Sequence, residues 1–100
     1  PWMFHCLFQT APSAIHGIGI FATSDIQVGD IIGVYQNIED GAFKNTSLGR
    51  YINHAINPNA APLKRNNRIV LICISPINGC RGGLVGDEIT IDYNQMKGIQ

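Results

Sequence analysis

The chain has 100 residues, and seven basic residues balance seven acidic ones. A chain of this length makes a single domain, residues 1–100, and hides roughly 60 to 65% of its unfolded surface on folding, so support from a ligand or partner is expected. Balanced charge offers no basic footprint for phosphate-driven binding, and nucleic acid is not the expected partner.

Cys6, Cys73 and Cys80 are odd in number, widely spaced and without a CxxC pair. That pattern argues against a disulfide framework and against a zinc site, so no metal is expected and the thiols are read as free, buried and in a reducing compartment. The longest apolar run, RIVLICISPI, is too short to span a bilayer, and PWMFHC lacks the basic and small-residue features of a secretory leader. A soluble, intracellular protein of cytoplasm or nucleus, away from the membrane, is expected.

Gly, Pro and Asn recur between short segments rich in Ile, Val, Phe and Tyr, which predicts many short strands. In chain order these are Phe4–Gln9, Gly19–Ala22, Ile31–Ile38, Ile69–Ile74 and Glu88–Tyr93. The best helical window, Ala42–Asn53, is interrupted by Gly49 and by Asn and Thr residues. QVGD at 27–30 and VGDE at 85–88 read as turns entering strands. In the last strand, Ile89 and Ile91 are expected on one face and Thr90 and Asp92 on the other.

Near the start, HGIGIFA at 16–22 satisfies the relaxed pattern G-x-G-x-x-A, with Glu39 at about the spacing of a ribose ligand. A dinucleotide site also needs a strand before the glycines and a helix after them, and here a polar loop precedes and a turn follows. Two readings remain: a plain loop or bulge at the mouth of a strand, or a place where a ligand meets bare main chain.

RYINHAINPNA at 50–60 contains Asn53-His54 and the turn Asn57-Pro58-Asn59. Turn chemistry and a satisfied histidine account for it in isolation. A hydrolytic triad of His54 with Ser47, Ser75 or Cys73 and with Asp92 lacks any nucleophile motif around the candidate nucleophiles.

Taken together, HGIGIFATSDIQVGDIIGVY, RYINHAINPNA and GDEITIDY occur in an order and spacing that resembles the SET domain of protein-lysine methyltransferases. The resemblance runs from about Phe4 to about Met96. It implies a mostly β fold of the β-clip type, with small curved sheets, little helix and a C-terminal pseudoknot. It also implies S-adenosylmethionine as cofactor and the side-chain amine of a protein lysine, in a histone or another protein, as methyl acceptor.

By the same resemblance His16, Gly17, Ile18 and Gly19 would meet the cofactor's amino-acid end, and Asn53 and His54 its methionyl and adenine portions. Tyr93 matches the catalytic tyrosine, and Tyr35 and Tyr51 are candidates for the walls of a lysine channel, with half-buried aromatics as the plain alternative. Ile91, two residues before the tyrosine, falls where side-chain size influences how many methyls are transferred, and its aliphatic character favours more than one.

The chain departs from the family pattern at Ala55, Ile56 and Asn57, and an insertion around Asn78–Leu84, with its Gly-Gly, is expected to be a mobile surface loop. The seven residues given after Tyr93 hold no cysteine, so Met96 and its neighbours, the substrate, or a second copy of the chain in a homodimer are expected to complete the pocket. A β-clip binding module without catalysis, or a degenerate SET scaffold, stands as the competing interpretation.

Overall fold

A computed structural model describes residues 7–97. Two four-stranded sheets carry the fold. In the first the spatial order is β1 (Phe8–Pro12), β2 (Ile18–Ala22), β8 (Glu88–Ile91), β5 (Asn53–His54); in the second it is β4 (Ala42–Asn45), β3 (Ile31–Glu39), β7 (Arg68–Cys73), β6 (Ala60–Arg65). Two short helices, α1 (Ser47–Tyr51) and α2 (Tyr93–Met96), complete the elements. The mostly β, β-clip-like architecture expected from the sequence is therefore present.

The strands form where β-branched and aromatic residues gather, and both sheets contribute to one core that includes Ile20, Leu48, Ile69, Leu71, Ile89 and Ile91. Strand β3 carries bulges between Ile31 and Gly33 and between Val34 and Gln36, which bend it while keeping Ile32 and Tyr35 on the core side. At the β3–β4 hairpin both Asp40 (φ 51°) and Gly41 (φ 79°) are left-handed, the requirement of a tight two-residue turn.

Several expectations are corrected. The window Ala42–Asn53 is a strand, β4, followed by a single helical turn, because Thr46 caps α1 and starts it late. Pro62 concealed β6, which tolerates a proline because it is an edge strand. The first strand begins at Phe8 and reaches Pro12, and the Phe4–Cys6 part of that expectation lies outside the described residues. The last strand ends at Ile91, and Tyr93 opens a helix instead of closing a strand.

Thr90 is buried alongside Ile89 and Ile91, so both faces of β8 are covered. Cys73 is a buried free thiol as expected, its pKa raised by burial, whereas Cys80 is exposed and Cys6 lies outside the described residues. Among the described residues no helix is long and apolar enough to cross a membrane.

The insertion is tied down at its edges rather than loose throughout. Asn78 N–H donates to the Asp87 carboxylate at 2.9 Å, Gly79 N–H donates to Asp25 at 2.8 Å, and Arg81 pairs with Asp25. A β-carbon on Gly86 would lie 2.1 Å from the carbonyl oxygen of Ala22, so this segment packs backbone against backbone. Gly86→Ala is expected to destabilise the protein by about 2 kcal/mol or more, as overpacking does, and to lower the melting temperature by roughly 10 °C. Thermal unfolding followed by circular dichroism measures it.

Candidate active site

The loop from Ser13 to Gly17 closes on itself. Ser13 N–H donates to the Gly17 carbonyl at 2.8 Å, and Ser13 Oγ accepts from the amides of Ile15 (2.9 Å) and His16 (3.3 Å), a serine turn. Gly17 makes the closure cheap, with a φ of 45° and open space around it.

That loop is anchored to β8 and β5 by one carboxylate and one amide. Ser13 Oγ lies 2.7 and 2.9 Å from the two Glu88 carboxylate oxygens, and Asn53 Nδ2 reaches Glu88 Oε2 at 2.8 Å, Ser13 Oγ at 3.1 Å and the His16 carbonyl at 3.1 Å. A β-carbon on Gly19 would fall 2.3 Å from Glu88 Oε2. The two glycines thus differ: Gly17 permits a turn, and Gly19 makes room for the Glu88 side chain.

The turn after Asn57-Pro58 serves the same strand. Asn59 donates from Nδ2 to the Glu88 carbonyl and accepts on Oδ1 from the Thr90 amide, both at 2.9 Å. Its amide side chain takes the place of a neighbouring strand. Beside it, β5 pairs with β8 in parallel, placing Asn53 opposite Thr90 and His54 opposite Ile91.

His54 and Tyr93 then meet. Asp92 caps α2 by accepting from Asn94 N–H at 2.9 Å, and the Tyr93 amide donates to His54 Nδ1 at 3.0 Å. A ring nitrogen that accepts carries no proton, so this contact assigns the neutral imidazole with its hydrogen on Nε2. The His54 and Tyr93 rings are 5.1 Å apart and tilted by 48°.

Tyr93 hydroxyl donates to the Ile52 carbonyl at 2.7 Å. Burial raises its pKa, and burial followed by the proximity of Tyr93 raises that of Tyr35, so both phenols stay neutral at physiological pH. The ring forms part of two cavities. One, of about 430 Å³, is lined by Ile15, His16, Asn53, His54 and Tyr93. The other, of about 190 Å³, is lined by Tyr35, Gly49, Arg50, Ile52, Tyr93 and Met96.

The wall of the smaller cavity is set by α1. Thr46 Oγ1 lies 2.5 and 2.9 Å from the carbonyls of Val34 and Tyr35 and accepts from Gly49 N–H at 3.2 Å. A β-carbon on Gly49 would lie 2.2 Å from the Tyr35 carbonyl oxygen, which explains a poor helix former inside a five-residue helix.

Of the residues singled out from the sequence, the fold brings His16, Asn53, His54 and Tyr93 around one cavity and Tyr35 to the other side of Tyr93. Gly17, Ile18 and Gly19 shape the loop and the start of β2 and line neither cavity; Ile18 is exposed. Tyr51 packs against the core and lines neither. Ile91 is fully buried in the core and lines neither, so its part in the number of methyls finds no support in the geometry.

Ser13, Ile15, Gly49, Arg50 and Ile52 escaped the sequence reading. A signal existed for Ser13, a small hydroxyl residue directly before the turn that ends at Gly17, but nothing in the sequence says which carboxylate it meets.

A strand threaded between β2 and β5, delivering a tyrosine to a pocket floored by Asn-His, is the SET-like fold, and solved structures bear this out. The fold resembles that of a Plasmodium falciparum protein named as a histone methyltransferase, with a TM-score of 0.69 at 21% identity, over 90% of this chain and 95% of that one. It also resembles the methyltransferase domain of human PR domain-containing protein 2 (TM-score 0.61, 22% identity, 88% of this chain and 77% of that one). A third likeness is to a chain of Polycomb Repressive Complex 2 from Chaetomium thermophilum (TM-score 0.60, 21% identity), of which it covers 93% of this chain but only 17% of the other. No family model matches the sequence, and no curated protein matches it.

Asn53→Asp would place a second carboxylate within hydrogen-bond distance of Glu88 in a part-buried setting. Like charges raise carboxyl pKa values, so the variant is expected to lose roughly 1–3 kcal/mol near pH 7. It should regain much of that below about pH 5 as one acid protonates. Denaturant unfolding at pH 7 and pH 5 measures the difference; equal losses at both would contradict the shared-carboxylate arrangement.

Proposed function

We propose that the chain transfers methyl groups from S-adenosylmethionine to the side-chain amine of a lysine in a protein substrate. The observation that carries this reading is the position of Tyr93 as the shared wall of two cavities, with its hydroxyl held by the Ile52 carbonyl. The donor would occupy the larger cavity and the lysine the smaller, meeting at the tyrosine.

The larger cavity suits the cofactor. At about 430 Å³ it falls within the size range of small-molecule sites. No Lys or Arg lines it, which speaks against a phosphate-bearing nucleotide. Aromatic faces of Tyr93 and His54 attract a cationic group, and His54 Nε2–H is a free ring donor by the tautomer assigned above. His16, Asn53 and His54 would hold the cofactor, which supplies a methyl group activated on a sulfonium sulfur.

The chain's own residues then have two tasks. The smaller cavity, with Tyr35, Ile52 and Met96 in its lining, would orient an alkyl amine, and in-line displacement gains most from such alignment. Exclusion of water beside a positive charge lowers the lysine pKa, so the amine can lose its proton to solvent without a strong base. Tyr93, kept protonated by burial, serves as a positioning wall whose oxygen lone pairs accept weak C–H hydrogen bonds, not as a phenolate base.

The Plasmodium falciparum protein named as a histone methyltransferase makes a histone lysine a first substrate to try. Ile15 (51% exposed) and Tyr93 (46% exposed) leave the larger cavity open on one side, where the substrate, or a second copy of the chain, would complete it. Such a substrate would place the protein in nucleus or cytoplasm.

Calorimetry with S-adenosylmethionine, followed by tritiated-methyl transfer to histones and to a protein extract, tests the proposal. Binding without transfer would favour a scaffold, and no binding a non-catalytic module. Tyr93→Phe is expected to cut transfer by about a hundredfold, the scale of lost alignment, with cofactor binding and melting temperature near wild type. Near-normal turnover in that variant would sink the role given to Tyr93. In wild type the rate should rise with pH as the lysine deprotonates, with no fall from Tyr93 ionisation below about pH 10, because its pKa is raised.

A further inference from the structure

A cavity larger than either of those at Tyr93 lies away from it, on the face of the second sheet opposite the core. Alternation along β7 sends Ile69 and Leu71 into the core and Val70 to the other face, where it pairs with Val34 of β3. Ile31 (46% exposed), Val34 and Val70 floor a groove of about 470 Å³, and Arg65, Asn66 and Arg68 form its rim.

The rim is unusual as structure. Arg65 and Arg68 are direct partners in the β6–β7 register, and like charges set opposite each other in an antiparallel pair repel. Among the described residues the one ion pair made by an arginine or lysine is Arg81–Asp25, so neither arginine has a carboxylate there. Asn66 between them sits at a φ of 52°, and the Asn67 carbonyl is fixed by Ile38 N–H at 2.7 Å, so the hairpin tip holds the two cations together.

We propose that this groove is a docking site for an acidic, apolar segment of a partner protein. Its carboxylates would pair with Arg65 and Arg68 and its apolar side chains would cover Ile31, Val34 and Val70. Charge complementarity selects this occupant. An anionic ligand removes the repulsion across the hairpin, whereas the lysine-rich tail of a histone would add to it. A nucleic acid would need a longer basic stripe and would waste the apolar floor. The site is separate from the methyl-transfer cavities and does not depend on that activity.

The probe is a fluorescein-labelled decapeptide of alternating Asp and Leu, followed by anisotropy with the whole chain, beside a Lys-for-Asp peptide and a twelve-nucleotide RNA. The acidic peptide is expected to bind, more weakly at high salt, and the lysine peptide and RNA are not. Arg65→Gln with Arg68→Gln should weaken binding about tenfold, the equivalent of two exposed ion pairs, and should melt no lower than wild type because a repulsion is lost. Ile31→Ser should weaken binding by severalfold through the floor alone. Unchanged affinity in both variants overturns the proposal. So does RNA binding that the acidic peptide cannot displace, or a dimer of the chain that the peptide cannot compete away.

Discussion

The Glu88 carboxylate is the joint on which the site depends. It stands in the space that Gly19 leaves open, receives Ser13 and Asn53, and so fastens the loop after β1, the strand after α1 and the last strand to one another. No cation neutralises it among the described residues. Its charge is met by hydrogen bonds from neutral donors, which are stronger to an ionised acceptor than to a neutral one. The same amide that meets this acid also holds the His16 carbonyl, so the pair anchors the loop beside the larger cavity and the loop's own serine turn shapes it.

Around that joint, small polar side chains do what longer elements do in larger domains. Asn59 bonds main-chain groups of β8 beside the short β5, Thr46 docks α1 on β3, and Asp92 starts α2 so that the Tyr93 amide faces His54. Each of these contacts spends one side chain to satisfy main-chain groups that short elements leave unpaired. The result is a tyrosine held at both ends, its amide by the imidazole and its hydroxyl by the Ile52 carbonyl. Rigid placement of that kind is what transfer between two pockets requires.

The two surfaces proposed to be functional differ in chemistry. The cavities that meet at Tyr93 are lined mainly by neutral groups, with Arg50 as the one guanidinium in the smaller, whereas the groove on the second sheet joins an apolar floor to a pair of arginines. A short chain with a balanced net charge can thus present locally charged surface, because net charge says nothing about where the charges lie.

By itself the sequence determined the strand-rich character, the turns around Gly29 and Asn57–Asn59, and the co-occurrence of Gly17–Gly19, Asn53-His54 and Tyr93 that marks a SET-like chain. Those are local signals of residue type and spacing. The tertiary structure alone decided that Tyr93 begins a helix, that Gly19 faces a carboxylate and Ile91 the core, that Ser13 bonds Asn53 and Glu88, and that Arg50 and Ile52 share a cavity with Tyr93. The reason is physical: β8 pairs with β5 in parallel and with β2 antiparallel, both distant in sequence. Which side chains face a cavity is fixed by that pairing and its register, and a one-residue slip would turn every one of them to the other side.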